Sequence, residues 1–343
     1  MNRREIGSEF SVTFDEQNTE NTYLQDTSLV FSGRTALETV LKNEPLIKKA
    51  ILPSYCCDSM IEPFRRAGID VCFYSVFYED GLQTNVSIPK DVDCLLWCNY
   101  FGFRNDMPDL ADFVARGGVI IEDITHSLFS AQPFHKQSHY LVASVRKWEP
   151  VLCGGYCVSR KGRMKTLPDR NPSLTFLEKK MSAMQLKARY LDGDNLVSKD
   201  TYLELFSESN HWLAENYSGY TIDSYSKEYL RNVNIKAHSK VRKRNAEVLY
   251  EELKDCNGIH FLFELSKMDC PLFVPIIVEG GKRNIVRQRL IESQIYCPVH
   301  WPKPKMDIES NLYDMELSLI CDQRYKEEDM RRIASTIRAF YEE

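Results

Sequence analysis

No stretch of this chain comes near the roughly 18 consecutive apolar residues that a membrane-spanning helix needs. Basic residues are not in excess: 44 Lys and Arg stand against 49 Asp and Glu. The resulting net charge of -5 argues against nucleic-acid binding, which calls for a basic surface. The opening residues "MNRREIGSEF" lead into polar sequence and not into an apolar core, so no signal peptide is read there and a cytoplasmic location is expected. Internal repeats and low-complexity segments are missing, and no G-x-G-x-x-G follows a strand pattern, which disfavours a nicotinamide-dependent oxidoreductase. The eleven cysteines do not form the close CxxC or CxH pairs in turns that bind zinc. Most sit in apolar runs such as "DVCFYSV" and "DCLLWCN", so they read as reduced, buried small hydrophobes, and no metal site is expected.

What is present begins with an alternation. Between about residues 50 and 160, short apolar runs ("KKAILPSY", "IDVCFYSV", "DCLLWCNYFG", "VIIED", "YLVAS") alternate with helical patterns ("DSMIEPFRRAG", "MPDLADFVARGG"). Strands this short and apolar, spaced by helices, predict a mostly parallel sheet covered on both faces, with ligands at the carboxyl ends of its strands. Residues 174–215 are mainly helical in character, with "LTFLEKKMSAMQLKARYL" the clearest piece. The amphipathic stretch "NIKAHSKVRKRNAEVLYEELKD" then leads to strands "PLFVPIIV" and "MELSLICD" and helices "RNIVRQRLIES" and "EEDMRRIASTIRAFYEE". The expected fold is α/β, with a large domain over residues 1–228 and a smaller α+β C-terminal domain over 229–343. The basic cluster Lys240, Arg242, Lys243 and Arg244 reads as a solvated helix face.

Four segments carry residues suited to chemistry, and each also has a plain structural reading. In "FSGRTALETVL", the backbone N–H groups at a helix start could hold a phosphate, with Gly33 allowing close approach and Arg34 and Thr35 adding side-chain contacts. An ordinary Ser/Gly helix cap explains the same residues. In "VIIEDITHS", Asp123 ends a buried strand, where a carboxylate needs a partner such as a cationic ring nitrogen, and His126 can face the same pocket. The plain reading is a turn former. In "ASVRKWEPVLCGG", Lys147 follows a strand beside Arg146; burial near that charge would lower its pKa and make the amine nucleophilic, whereas an arbitrary loop lysine is simply solvated. In "CPVHWPKP", His300 and Trp301 precede two prolines, either lining a cleft or packed in a core. A phosphate cradle, an acid for a ring nitrogen and a nucleophilic lysine together meet the requirements of pyridoxal 5'-phosphate (PLP).

These segments resemble the DegT/StrS-type sugar aminotransferases, which share the aspartate-aminotransferase-like fold. "SGRTALETVL" is similar to the family's phosphate-binding segment, and "CNYFGFRNDMPDLADFVARGGVIIEDITHS" is the most specific match. "RKWEPVLCGG" parallels the family's lysine followed seven residues later by Gly-Gly, and "ILPSYCCDSMIEPFRRAGIDVCFYSV" matches a further stretch. Weaker similarity runs through "YLRNVNIKAHSKVRKRNAEVLYEEL", "HWP" and "LSLICDQRYKEEDMRRI", so the resemblance covers nearly the whole chain. It implies that Lys147 carries the cofactor, that Asp123 partners the pyridine nitrogen, and that His126 lies near the ring. Gly33, Arg34 and Ser144 would serve the phosphate. It also implies a homodimer acting on small molecules, moving an amino group from a donor such as glutamate to a keto sugar attached to a nucleotide. A lysine at position 147 argues against the family's dehydratase branch, which has histidine there. The chain departs from the family pattern in several places. Cys57 stands where an aromatic ring-stacker is frequent, Cys153 replaces an acidic residue before Gly-Gly, "ASVRK" replaces the "SFxxxK" approach to the lysine, and Trp148-Glu149-Pro150 replaces polar residues after it. A PLP-binding or regulatory protein of the same fold without turnover is the alternative these departures leave open.

Overall fold

The computed structural model describes residues 5–12, 28–131 and 134–342. The chain starts with a two-residue strand β1 (Ile6–Gly7), then β2 (Ser28–Val30) and helix α1 (Gly33–Asn43). Alternation follows as expected: β3 (Lys49–Pro53), α2 (Asp58–Arg66), β4 (Asp70–Tyr78), β5 (Leu82–Asn85), β6 (Cys94–Cys98), α3 (Ala111–Ala115), β7 (Val119–Asp123), β8 (Tyr140–Ser144) and β9 (Gly155–Ser159). Eight of these strands form one sheet in the order β2-β9-β8-β7-β6-β3-β4-β5. Its five central strands, β8 to β4, run parallel, while β9, β2 and β5 are antiparallel additions at the edges. The side-chain pattern explains the order. β6 ("CLLWC") and β7 ("VIIED") are buried at every residue and therefore sit in the middle. β5 ("LQTN") alternates half-buried and exposed residues and takes an edge.

A helical pair, α4 (Leu174–Leu191) and α5 (Lys199–Glu215), follows, and then α6 (Ser224–Asn232) and the long α7 (Ile235–Leu253). The remainder is β10 (Ile259–Phe261), β11 (Val274–Val278), α8 (Arg283–Glu292), β12 (Ile295–Tyr296), α9 (Leu312–Met315), β13 (Glu316–Leu319) and α10 (Glu327–Glu342). β10, β11 and β13 form an antiparallel sheet, so the C-terminal unit is α+β. The expected division at residue 228 falls inside α6, and β1 pairs in parallel with β12, which ties the chain start to the C-terminal unit. One apolar cluster runs from the large sheet (Ile51, Leu95, Ile120) into that unit (Val274, Leu317, Ile333). None of the described helices is long and apolar enough to cross a membrane. All eleven cysteines are free thiols, and nine of them are buried, as their apolar surroundings in the sequence suggested.

One expectation needs correction. Lys243 and Arg244 are partly solvated, but Arg242 is buried and its guanidinium donates to the carbonyls of Pro271, Leu272 and Trp148. It sits on the apolar stripe of α7 with Ala246, Leu249 and Leu253, and its position on that stripe outweighs the charge run around it.

Candidate active site

Three strand ends and one helix start converge on a small pocket of about 90 Å³. β6 contributes Cys98, β7 contributes Asp123, and β8 leads through Ser144 into a single 3₁₀ turn, Val145–Lys147. The opposite wall is the first turn of α1, with Ser32, Gly33 and Arg34, and Cys57 and Ser59 close another side. Two glycines make this closeness feasible. A Cβ on Gly33 would stand 3.3 Å from the Ser144 Cβ and fill the gap between helix start and strand end. A Cβ on Gly155 would lie 2.1 Å from the Ser32 carbonyl oxygen, so β9 can pass behind the helix start only as glycine.

The protonation of the pocket follows from its hydrogen bonds. The Phe101 backbone N–H donates to His126 Nδ1 at 3.3 Å, so that nitrogen is unprotonated and a neutral ring carries its proton on Nε2. His126 Nε2 lies 3.2 Å from Lys147 Nζ, so a proton on Nε2 points at the amine and favours its uncharged form. Burial supports both assignments. Loss of solvent lowers the Lys147 pKa, against opposing attraction from Cys57 and Asp123. Burial, more than any neighbouring charge, holds His126 well below the ordinary histidine value. An uncharged buried lysine is a nucleophile. Asp123 moves the other way: burial raises its pKa, although the Thr125 N–H donates to its Oδ1 at 2.8 Å. A cationic group placed beside it in the pocket would reverse that shift.

The other expected residues separate into those that line the pocket and those that do not. Ser144, Arg34 and Cys57 line it. Arg34 is held by an ion pair to Glu62 on α2 at 3.2 Å, and Cys57 Sγ contacts the Ser59 hydroxyl at 2.8 Å. Thr35 is fully buried with its hydroxyl donating to the Tyr217 carbonyl at 2.8 Å, and it is not part of the lining. Trp301 lines the pocket, stacked on His126 with ring centroids 5.3 Å apart, and Lys147 Nζ sits 5.5 Å above its ring. His300 instead lines a second, larger cavity of about 660 Å³. The two spaces share Arg34, Arg146 and Lys147 as a common wall.

Other contributors are named in the sequence without a settled role, and Thr125 is not singled out there. Arg146 lines both spaces; its Nε is buried without a hydrogen-bond partner, and no carboxylate lies within ion-pair distance among the described residues. Thr125 braces the loops, its hydroxyl accepting the Ser144 N–H at 3.1 Å and its carbonyl the Trp148 indole N–H at 2.6 Å. Behind the lysine, buried Glu149 takes hydrogen bonds from the Tyr229 hydroxyl at 3.2 Å and His238 Nδ1 at 2.8 Å. Arg242 lies 4.7 Å over the Trp148 ring. The unusual Trp148-Glu149 pair thus anchors the lysine turn to α6 and α7. Cys153, next to Gly154-Gly155, is a buried thiol donating to Asp223 Oδ2 at 3.0 Å.

No family model and no curated protein matches the chain. Solved structures do. Spr1654 from Streptococcus pneumoniae, in its PLP form, superposes with a TM-score of 0.64 at 14% identity, over 98% of this chain and 93% of that one. A DegT DnrJ EryC1 StrS aminotransferase from Brucella abortus gives 0.60 at 16% identity, over 92% and 86% of the two chains. The sugar aminotransferase CalS13 from Micromonospora echinospora gives 0.61 at 13% identity, over 92% and 87%. The chain therefore has the fold of these aminotransferases, with a large, mostly parallel sheet and an α+β C-terminal unit.

Proposed function

We propose that the chain is a PLP-dependent aminotransferase that moves an amino group from an amino acid such as glutamate to a keto sugar, in amino-sugar or glycan biosynthesis. The observation that carries the reading is the buried Lys147 amine, 3.2 Å from His126 Nε2, in one pocket with Asp123 and the Gly33 helix start. The residues present fit the cofactor. Gly33 leaves the space at the helix start that a Cβ would fill, and free backbone N–H groups there suit a phosphate. Arg146, with its orphaned buried Nε, supplies a cation at the same wall. When bound, PLP supplies an electron sink for the pair left as the Cα–H bond of the amino donor breaks.

Every other task falls to the chain. Lys147 would hold the cofactor covalently through its amine and move the proton released from the donor carbon. Asp123 would keep the ring nitrogen protonated, a cation that lowers the cost of its own burial. His126 would cover one ring face together with Trp301 and fix the Lys147 amine through its Nε2–H. The narrow, mostly buried pocket would exclude water from these transfers. The names of the structures that share the fold support the sugar acceptor, and a cytoplasmic homodimer accompanies the reading. Light scattering at twice the 39.9 kDa chain mass would agree with the dimer.

The test is the visible spectrum of protein purified with PLP, before and after glutamate. The expected protein is yellow and loses its visible band when glutamate is added. Lys147→Ala should lack the band and lose about 10³-fold or more of the half-reaction rate. A band of normal intensity in Lys147→Ala would overturn the assignment of the lysine. A yellow wild-type protein that no amino donor bleaches would favour the non-catalytic alternative.

A further inference from the structure

The larger cavity beside Lys147 is rich in permanent cations: Arg34, Arg146, Arg242 and Arg324 all line it. Arginine can orient a substrate but cannot give up a proton at ordinary pH. His300 lines the same cavity, and behind it lies a buried polar chain that the proposed function leaves unused. His300 Nδ1 is 2.7 Å from the Ser318 hydroxyl, and that hydroxyl also bonds Glu316 Oε1. The His300 backbone N–H donates to Glu316 Oε2 at 2.8 Å, which fixes the carboxyl against the histidine. Glu316 and Ser318 are fully buried, and the His300 ring is nearly so. Its Nε2 has no protein partner among the described residues.

We propose that Glu316, Ser318 and His300 form a proton relay, which lets the His300 Nε2 at the cavity give up or accept a proton while its ring stays neutral. A serine hydroxyl has one proton, so the chain has two consistent arrangements. With Glu316 protonated, its O–H donates to Ser318, Ser318 donates to His300 Nδ1, and Nε2 carries the ring proton. With Glu316 ionised, Ser318 donates to the carboxylate and accepts from Nδ1–H, and Nε2 is a free acceptor. Passing from the first to the second releases one proton to the cavity: Nε2–H leaves, the Ser318 proton moves to Nδ1, and the Glu316 proton moves to Ser318. The negative charge ends on a carboxylate and not on an imidazolate, which brings release into the physiological range.

The surroundings favour an exchange near neutrality. Burial pushes Glu316 up to about 8, against hydrogen bonds from Ser318 and the His300 N–H, the charge of Arg283 on α8, and Tyr55 beside it. Burial raises the nearby Cys297 thiol, and the charge of Glu316 adds a little to that rise. Around His300 stand His126, with ring centroids 5.1 Å apart, and Lys147, and burial above all holds the imidazole well below its usual value. The ring is thus neutral, and only its tautomer is free to change. The use of this proton on a bound substrate rests on the aminotransferase reading; the relay itself does not.

The experiment is ¹⁵N NMR of the protein labelled at its seven histidines, titrated over about pH 6 to 10. The His300 signals are assigned by their loss in His300→Asn. Wild-type His300 should change from the Nε2–H to the Nδ1–H tautomer as Glu316 ionises. Glu316→Gln should hold the Nε2–H form throughout, and Ser318→Ala should abolish the pH response. A wild-type His300 that keeps one tautomer across the range overturns the relay, with or without PLP. For the catalytic use, Glu316→Gln should slow the glutamate half-reaction about 10²-fold and remove the limb near pH 8 from its rate profile, with the PLP band retained. An unchanged profile overturns that use. A wild-type protein without a PLP band overturns the aminotransferase reading and leaves the tautomer result standing.

Discussion

The two spaces that share Lys147 are built on opposite plans. The small pocket takes its chemistry from single residues at the ends of adjacent strands, and in it burial removes charge: Lys147 and His126 are pushed toward neutrality and Asp123 toward protonation. The large cavity takes its wall from segments far apart in the chain, Ser8–Phe10, Asn210–Ala214, Pro298–His300 and Ile320–Arg324. There charge is kept, and part of it is paired. Arg324 pairs with Asp322 at 2.7 Å, and Lys180 meets Glu9 at 3.4 Å while Asn210 donates to the same carboxylate. Groups stripped of charge by burial can exchange protons, and groups locked in ion pairs can only orient. Under the proposed function, proton chemistry falls to the pocket and substrate positioning to most of the cavity, with the proposed His300 relay as the place where the cavity would also handle a proton.

Asp123→Asn tests the pocket side most strongly. The amide keeps the shape and can still accept the Thr125 N–H, but it cannot hold a ring nitrogen protonated. The glutamate half-reaction should slow by about 10²-fold or more with little change in thermal stability. A loss below roughly threefold would remove Asp123 from the chemistry and make the pocket no different from the cavity. Arg146→Gln comes next, because this side chain belongs to both walls. A charge-assisted hydrogen bond to an anion is worth about 1.5–3 kcal/mol, so affinity for PLP should fall roughly 10- to 100-fold. Competition by inorganic phosphate separates the two walls. Phosphate that still displaces PLP equally well from the wild type and the variant would assign Arg146 to the substrate cavity and not to the cofactor.

The same contrast explains what could be read in the sequence. Lys147, Asp123 and Gly33 each end or begin an element, and His126 follows one within three residues, so the local pattern of apolar strand, polar terminus and glycine marks them. The strands and the main helices are legible for the same reason: their signals lie within a few residues. Thr35 has the right local pattern too, yet its hydroxyl is used by the Tyr217 carbonyl, 182 positions away, and no local rule reports that. Arg242 carried a usable signal, since it recurs with Ala246, Leu249 and Leu253 on one helical stripe, but the charge run around it drew the reading to the surface. Glu316 and Ser318 lie on β13, whose four residues are all buried, so alternation gives no hint of which side chains face His300. The cavity depends on β1 lying beside β12 and bringing Ser8–Phe10 to its wall, a long-range pairing of two-residue strands that no sequence period announces.

The smallest expected effect concerns stability, and its sign separates the relay from an ordinary buried ion. Glu316 is raised to about 8 in the folded protein, against about 4.3 for an unfolded glutamate. Below the lower value both states are protonated and the group carries no penalty. Between the two values the unfolded chain sheds its proton while the folded chain keeps it, so wild-type stability falls as pH rises, and the loss is complete above about pH 8. Glu316→Gln cannot ionise and escapes this loss. Its Tm relative to wild type should therefore climb steadily from pH 5 to pH 8 and level off beyond, by several degrees for a gain on the order of 4 kcal/mol. Any fixed cost of the replaced hydrogen bonds shifts that curve without tilting it. A flat difference would mean that Glu316 is already ionised inside the fold near pH 5, held there by Arg283 and its hydrogen bonds. The cavity would then contain only fixed charge, and the pocket alone would handle protons.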